Sequence, residues 1–163
     1  MNSYTIRPVT EQDTPFLWEM LYESLYVPEG QIPFNRNVIY EPFLSKYVEG
    51  WGKEGDLGFI AVNGDGLLLG SITARFFIED KKGFGYVSND IPELGMALRA
   101  EYRGKGIGTA LLKMLINEMK EKGIKGVSLS VDPGNLAAVK LYQRFGFIKV
   151  GMFDTSITMV AYL

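Results

Sequence analysis

The stretch Arg103-Gly104-Lys105-Gly106-Ile107-Gly108-Thr109 constrains the fold of this chain more than any other. Its three alternating glycines separate a short strand-like run, Pro92 to Leu98, from a segment with apolar residues at helical spacing: Ile107, Ala110, Leu111, Met114 and Leu115. That helix is expected from about Gly106 to Lys122. After Gly123 comes a second apolar run, Val127 to Val131, so Pro92 to Val131 reads as strand, helix, strand. Two strands joined in this way lie parallel with a right-handed connection. The ligand site of such a unit lies at the carboxyl end of the first strand, where the helix begins. Here that is Arg99 to Thr109.

The flanking sequence predicts antiparallel neighbours. Thr5 to Val9 reads as a strand, followed by Asp13 or Thr14 as an N-cap and Pro15 at the first helical position. Phe16, Leu17, Met20, Leu21, Ser24 and Leu25 form one helical stripe, stopped by Pro28 and Gly30. Val27 to Arg36 reads as a loop. A second short helix has Pro42 near its start and Phe43, Leu44, Tyr47 and Val48 on one side, with Gly50 and Gly52 at its end. Phe59 to Val62 and Leu67 to Ile78 flank Asn63-Gly64-Asp65-Gly66, a hairpin signal because Asn and Gly accept the positive φ of tight turns. Lys81 to Gly85 is a further turn. A helix over Asn135 to Phe145 is closed by Gly146, and Phe147 to Phe153 and Ser156 to Tyr162 are the last strands. No repeat, low-complexity tract or linker interrupts the 163 residues. The expectation is one domain, 1–163, of the α+β class: a mostly antiparallel sheet, one embedded parallel pair and about four helices.

Composition narrows the chemistry. With 47% hydrophobic and 22% charged residues the chain has enough apolar area to offset the entropy of ordering, which excludes a disordered protein. A formal charge of −2 is too small to gather phosphates over the whole surface, so neither nucleic acid nor an anionic membrane is an expected partner. There is no cysteine and no histidine. This removes thiolate nucleophiles, imidazole bases, disulfides and every zinc site but an all-carboxylate one, and no metal is expected. Acid–base work falls to Asp, Glu, Tyr, Lys, water or the backbone. No apolar run approaches the ~18 residues needed to span a bilayer, and Met1 to Thr10 lacks the apolar core of a signal peptide. A cytoplasmic protein is the default expectation.

At a strand-to-helix junction the first amides of the helix lack acceptors and carry the positive end of its dipole. With Arg103 and Lys105 beside it, such a turn is suited to an anion; the alternative is a tight turn carrying surface charge. Two phosphate motifs fail. The dinucleotide fingerprint would need its third glycine at Thr109 or Leu111, and a P-loop would need glycine at Arg99 and a hydroxyl residue at Gly106.

Arg103-Gly104-Lys105-Gly106-Ile107-Gly108 resembles the pyrophosphate motif of the GNAT superfamily of acetyl-CoA-dependent N-acetyltransferases: Arg or Gln, two residues, Gly, one residue, Gly or Ala. Asn135-Leu136-Ala137-Ala138-Val139-Lys140-Leu141-Tyr142, followed by Phe145-Gly146-Phe147, is similar to that family's second motif. The resemblance is strongest from about Glu93 to Phe147. One departure is Ala100, where the family often has proline, which leaves the turn less constrained. The resemblance implies acetyl-CoA as cosubstrate. It implies that Met96, Ala97 and Leu98 offer backbone to the pantetheine arm, that the amides of Arg103, Gly104, Lys105, Gly106, Ile107, Gly108 and Thr109 hold the pyrophosphate, and that Asn135 helps from the other side. A splay between this strand and Val127 to Val131 would form the cleft.

Acetyl transfer to an amine needs a neutral amine, a stabilised oxyanion and a proton for the departing thiolate. The resemblance implies backbone N–H groups at Ala97 or Leu98 for the oxyanion and Tyr142 as general acid; a core aromatic beside Val139 and Phe145 is the other reading of Tyr142. Glu93 is the best side-chain base, set against a solvated strand-end carboxylate. Asp90, Glu23 and bulk water are alternatives, and a bulge near Glu93 would change which face meets the substrate. The acceptor, an amine-bearing small molecule or peptide, is expected against the first two helices and their loop. There Tyr22, Tyr26, Phe34, Tyr40, Tyr47 and Trp51 accompany Glu19, Glu23, Glu29 and Glu41. Two other functions remain open: a non-catalytic CoA-binding regulator, and an interaction module or homodimer using Ser156 to Tyr162 as an exposed edge strand.

Overall fold

The computed structural model describes residues 3–163. Strands β1 (Tyr4–Pro8), β2 (Leu57–Asn63), β3 (Leu68–Arg75), β4 (Glu93–Leu98), β5 (Gly126–Val131), β6 (Ile148–Phe153) and β7 (Ser156–Tyr162) form one sheet in the order β1-β2-β3-β4-β5-β7-β6. Only β4 and β5 pair in parallel; the other neighbours are antiparallel. The described residues also form helices α1 (Thr14–Glu23), α2 (Pro42–Ser45), α3 (Ile107–Glu121) and α4 (Leu136–Arg144). The expected mixed sheet with one parallel pair and four helices is what the chain forms. None of these helices is long and apolar enough to cross a membrane.

Strand alternation sorts the helices onto two faces. On one face Phe59, Ala61, Leu94, Val127 and Leu129 meet the apolar side of α3 and Tyr142 of α4. On the other, Ile60 of β2 and Ala97 of β4 meet Phe16 and Met20 of α1. Helix α3 turns Ile107, Leu111, Leu112, Leu115, Ile116 and Met119 inward, each such side chain contributing about 1.5–3 kcal/mol by leaving water. Met114, expected on this stripe, lies at its border and is exposed. The α1 face continues into a second cluster, Leu17, Leu21, Ile39, Leu44 and Val48, which joins α1 to α2.

Several boundaries differ from expectation. Helix α1 stops at Glu23, with the Ser24 hydroxyl donating back to the Leu21 carbonyl at 2.6 Å, well before Pro28. Strand β3 ends at Arg75 and not Ile78, because its partner β4 begins opposite it at Glu93, directly after Pro92. The β2–β3 turn is closed as expected: Asn63 Oδ1 accepts from the amides of Asp65 and Leu67, both at 2.9 Å. Ser156 to Tyr162 is not an edge. β7 carries the buried Met159, Val160 and Ala161 and pairs with β5 from Gly126↔Tyr162 to Val131↔Ile157, so the hairpin leaves β6 outside. The edge β6 exposes Ile148, Val150, Met152 and Phe153.

A buried ion pair fastens the α2 region to the sheet. Arg75 on β3 donates to both carboxylate oxygens of Asp56, at 3.1 and 2.9 Å, and to the carbonyls of Lys46 and Glu49 at 2.9 and 2.7 Å. Both side chains are almost completely enclosed. Removing one partner leaves the other charge desolvated and unpaired. Asp56→Ala is therefore expected to lower stability by about 3–5 kcal/mol, measured by urea denaturation; a loss typical of a surface pair, below ~1 kcal/mol, would contradict this assignment.

Candidate active site

The parallel strands β4 and β5 meet at one register pair, Glu93↔Ser128, where the Ser128 amide donates to the Pro92 carbonyl at 2.9 Å. Beyond that pair β4 stays bonded to β3 as far as Leu98, and β5 stays bonded to β7 as far as Val131. A gap therefore opens toward the carboxyl ends. The bond from the Arg99 amide to the Leu69 carbonyl, 2.8 Å, fixes which backbone groups face it. In an antiparallel ladder alternate residues exchange bonds with one neighbour, so Ala97, Gly95 and Glu93 turn their amides toward β3. Met96 and Leu98 turn theirs toward the gap. Of the two amides expected to stabilise an oxyanion, Leu98 faces the gap and Ala97 does not; the Ala97 methyl packs under α1 with Phe16 and Met20. The β3–β4 register runs without a shift, so the bulge considered near Glu93 is absent.

At the mouth of the gap, Gly104 and Gly106 adopt φ of 73° and 87°, the left-handed region costly to residues with a Cβ. They bend the chain so that six consecutive amides, Gly104 through Thr109, have no acceptor among the described residues, and the first helical bond runs from Ala110 to Gly106. Such a row is suited to a diphosphate. Gly108 does something else: it is buried in the first turn of α3, where a Cβ would touch Met96 Cε at 3.4 Å. The Arg103 amide donates to the Ala100 carbonyl, so it stands outside the row. Its guanidinium is held by the Leu98 carbonyl at 3.1 Å and by Glu23 at 3.2 Å. Lys105 lies over the Tyr102 ring and forms no ion pair with the described residues. Asn135 caps α4, its Oδ1 accepting from the Ala138 amide at 3.4 Å, which leaves its amide hydrogens for another partner.

Glu93 is no solvated carboxylate. It is 4% exposed at the apex of the gap, and burial pushes its pKa up to about 7 despite the hydrogen bonds and the Lys46 charge that pull it down. Oε2 accepts from the Tyr47 hydroxyl at 2.7 Å, and that hydroxyl accepts from the Phe84 amide, also at 2.7 Å. Among the described residues neither Oε1 nor the hydroxyl of neighbouring Ser128 meets a partner in hydrogen-bond geometry, though the Gly85 amide also acts on the carboxylate. Of the alternative bases, Glu23 is paired with Arg103 and Asp90 is exposed in a turn. Tyr142 is enclosed in the core, edge-on to Phe147 at 5.5 Å; burial raises its pKa, and its hydroxyl bonds to no described residue.

The expected acceptor wall is largely occupied with internal contacts. Glu19 pairs with Arg99 at 3.1 Å, Tyr22 donates to the Phe34 carbonyl, and Trp51 lies under Arg75. Tyr26 donates to the Gly134 carbonyl at 3.1 Å, tying the loop after α1 to the turn before α4. An open groove of about 330 Å³ lies elsewhere, between residues 82–87 and strand β6, with Phe84, Tyr86, Met152 and Phe153 among its walls and Lys82 as its charged group. The groove and the Tyr47–Glu93 bond both went unseen in the sequence, since they join segments 46 or more residues apart and carry no motif.

A sequence model of the acetyltransferase (GNAT) family matches residues 16–147. The mycothiol acetyltransferase of Corynebacterium glutamicum (strain ATCC 13032) is 36% identical over 73 residues, 42% of this chain and 25% of that protein, so the match spans about a quarter of that relative's length. N-alpha-acetyltransferase 30 of Schizosaccharomyces pombe is 24% identical over 145 residues, 89% of this chain and 84% of its own length. Among solved structures, the PaiA N-acetyltransferase of Thermoplasma acidophilum in complex with coenzyme A superposes with a TM-score of 0.72, covering 99% of each chain at 24% identity; the likeness is one of fold.

Gly106→Ala places a Cβ on a left-handed residue and is expected to cost about 1–2 kcal/mol. Because the same residue bends the amide row, thermal denaturation should also show a smaller rise in Tm with acetyl-CoA than in the parent chain. An undiminished rise would detach the row from ligand binding.

Proposed function

Because the chain belongs to the acetyltransferase (GNAT) family, we propose that it transfers the acetyl group of acetyl-CoA to a primary amine of a small molecule or peptide by direct attack on the thioester. The observation that carries this reading is the row of six acceptor-free amides, Gly104 to Thr109, at the mouth of a gap between parallel strands. These amides hold the diphosphate of acetyl-CoA, with Arg103 and Lys105 adding charge. Met96 pairs its free backbone groups with the pantetheine arm, in the manner of an added strand, while the Leu98 carbonyl stays with Arg103 and its amide is left for the thioester. Ala97 supports that strand from beneath, and Asn135 supplies amide hydrogens from the α4 side.

Acetyl-CoA supplies a thioester, whose carbonyl carbon bonds to the amine nitrogen while the carbon–sulfur bond breaks. The residues of the chain lower the cost of each charge that this creates. Glu93 takes a proton from the amine, directly or through water; a carboxylate titrating at about 7 is a stronger base than an ordinary one and is still ionised in part at neutral pH. The Leu98 amide donates to the carbonyl oxygen as its negative charge grows. The Tyr142 hydroxyl donates a hydrogen bond to the departing sulfur and gives up its proton as the thiolate forms; burial raises its pKa and so makes it a weaker acid, which leaves the hydrogen bond to sulfur as its larger contribution. The acceptor enters by the groove beside Phe84, whose amide is linked through the Tyr47 hydroxyl to Glu93. Its aromatic walls and single lysine suit an amine on an apolar body better than a polycation.

The test is an amine panel assayed for free thiol release from acetyl-CoA; no release above the hydrolytic background with any amine would remove the proposed activity. In the active pair, kcat/KM should rise with pH through a midpoint near 7, because the base works only when ionised. Glu93→Gln should abolish that limb and lower kcat/KM by ~10² to 10⁴. Tyr142→Phe should lower kcat by ~10², and an unchanged kcat would exclude the hydroxyl from the reaction.

A further inference from the structure

Glu93 has two unlike oxygens. Oε2 is held by the Tyr47 hydroxyl at 2.7 Å, whereas Oε1 is enclosed with no donor among the described residues in hydrogen-bond geometry, the Gly85 amide acting on the carboxylate from farther off. The Tyr47 hydroxyl is itself fixed, since it accepts from the Phe84 amide at 2.7 Å and its ring lies edge-on to Phe77 with centroids 5.2 Å apart. Phe84 is a wall of the groove, and it packs edge-on against Phe153 of β6 at 5.5 Å. A single phenol therefore joins the carboxylate at the apex of the gap to the loop that borders the groove. The chain makes room for this contact at Gly83, where a Cβ would overlap Glu93 Oε1 and stand 2.5 Å from the Tyr47 oxygen.

We propose that Tyr47 is the positioning residue of this site: its hydroxyl occupies Oε2, leaves Oε1 as the oxygen that receives the amine's proton, and couples the carboxylate to the acceptor groove. The proposal rests on Glu93 as the base. The other charged or polar groups that face Glu93 do not duplicate this contact. Lys46 of the α2 region directs its ammonium to the Lys82 carbonyl at 2.8 Å. Arg75, directly opposite on β3, is engaged by Asp56. Ser128 on β5 makes no hydrogen bond through its hydroxyl, and the Gly85 amide contributes from the loop.

The experiment is the pH profile of kcat/KM for Tyr47→Phe beside the parent and Glu93→Gln, using the best amine from the panel. Losing a donor to the ionised carboxylate disfavours that form, so the acid limb should move upward by about one pH unit. The KM for the acceptor should rise while the KM for acetyl-CoA stays at the parent value, a split that general loosening of the fold would not give. A Tyr47→Phe profile that superposes on the parent's, or KM values that rise together, overturns the proposal. Should that variant fail to fold, Gly83→Ala crowds Glu93 Oε1 and the Tyr47 oxygen without substituting either residue and should move the limb in the same direction; an unmoved limb there overturns the proposal as well. A Glu93→Gln enzyme that keeps the parent's limb would instead refute Glu93 as the base, so the two failures are distinguishable.

Discussion

Strands β4 and β5 touch at one residue pair because each is already bonded along its length to a different neighbour, β3 on one side and β7 on the other. A parallel pair inside an otherwise antiparallel sheet has no hairpin to hold its register. Once the two flanking ladders diverge, nothing pulls the strands together again. The gap is therefore a product of pairing and not of any residue that lines it. On its border lie the Leu98 and Met96 backbone on one wall, the acceptor-free amides of Gly104 to Thr109 at its mouth, and Glu93 where it closes.

The second constraint is the absence of histidine and cysteine. Without them, raising a carboxylate is one way to place a base near neutrality, and burial is the physical means at hand. Glu93 gains its basicity by losing water; the Tyr47 bond and the Lys46 charge pull the other way, which keeps the group near 7 instead of fully protonated. Burial acts on Tyr142 as well, holding its hydroxyl in the neutral form. Burial thus raises the pKa of both groups, which makes the carboxylate a stronger base and the phenol a weaker acid.

The order of elements was readable because it rests on local rules. The Asn63 turn, the Pro15 helix start and the α3 apolar stripe each depend on residues a few positions apart. The glycine-rich turn was readable too, since the left-handed conformations of Gly104 and Gly106 are a property of the residue type. Errors came where a partner decided the outcome. Phe76 to Ile78 look like strand but face no β4 residue, and Ser156 to Tyr162 look like an edge but are flanked on both sides. Glu93 read equally well as a solvated carboxylate or a base, because a strand end carries no mark of what will cover it.

What the sequence settled alone was the local grammar: a strand, a positive-φ glycine turn and an amphipathic helix whose first amides must point outward, since backbone geometry within ten residues dictates it. What only the tertiary structure decided was electrostatic. Whether Glu93 is wet or dry, which of its oxygens is held, and which strand amides face the gap depend on Tyr47, Phe84, Ser128 and Leu69, brought to it from distant parts of the chain. Solvation and hydrogen bonding act through space, and the spacing of residues along a chain does not encode that distance.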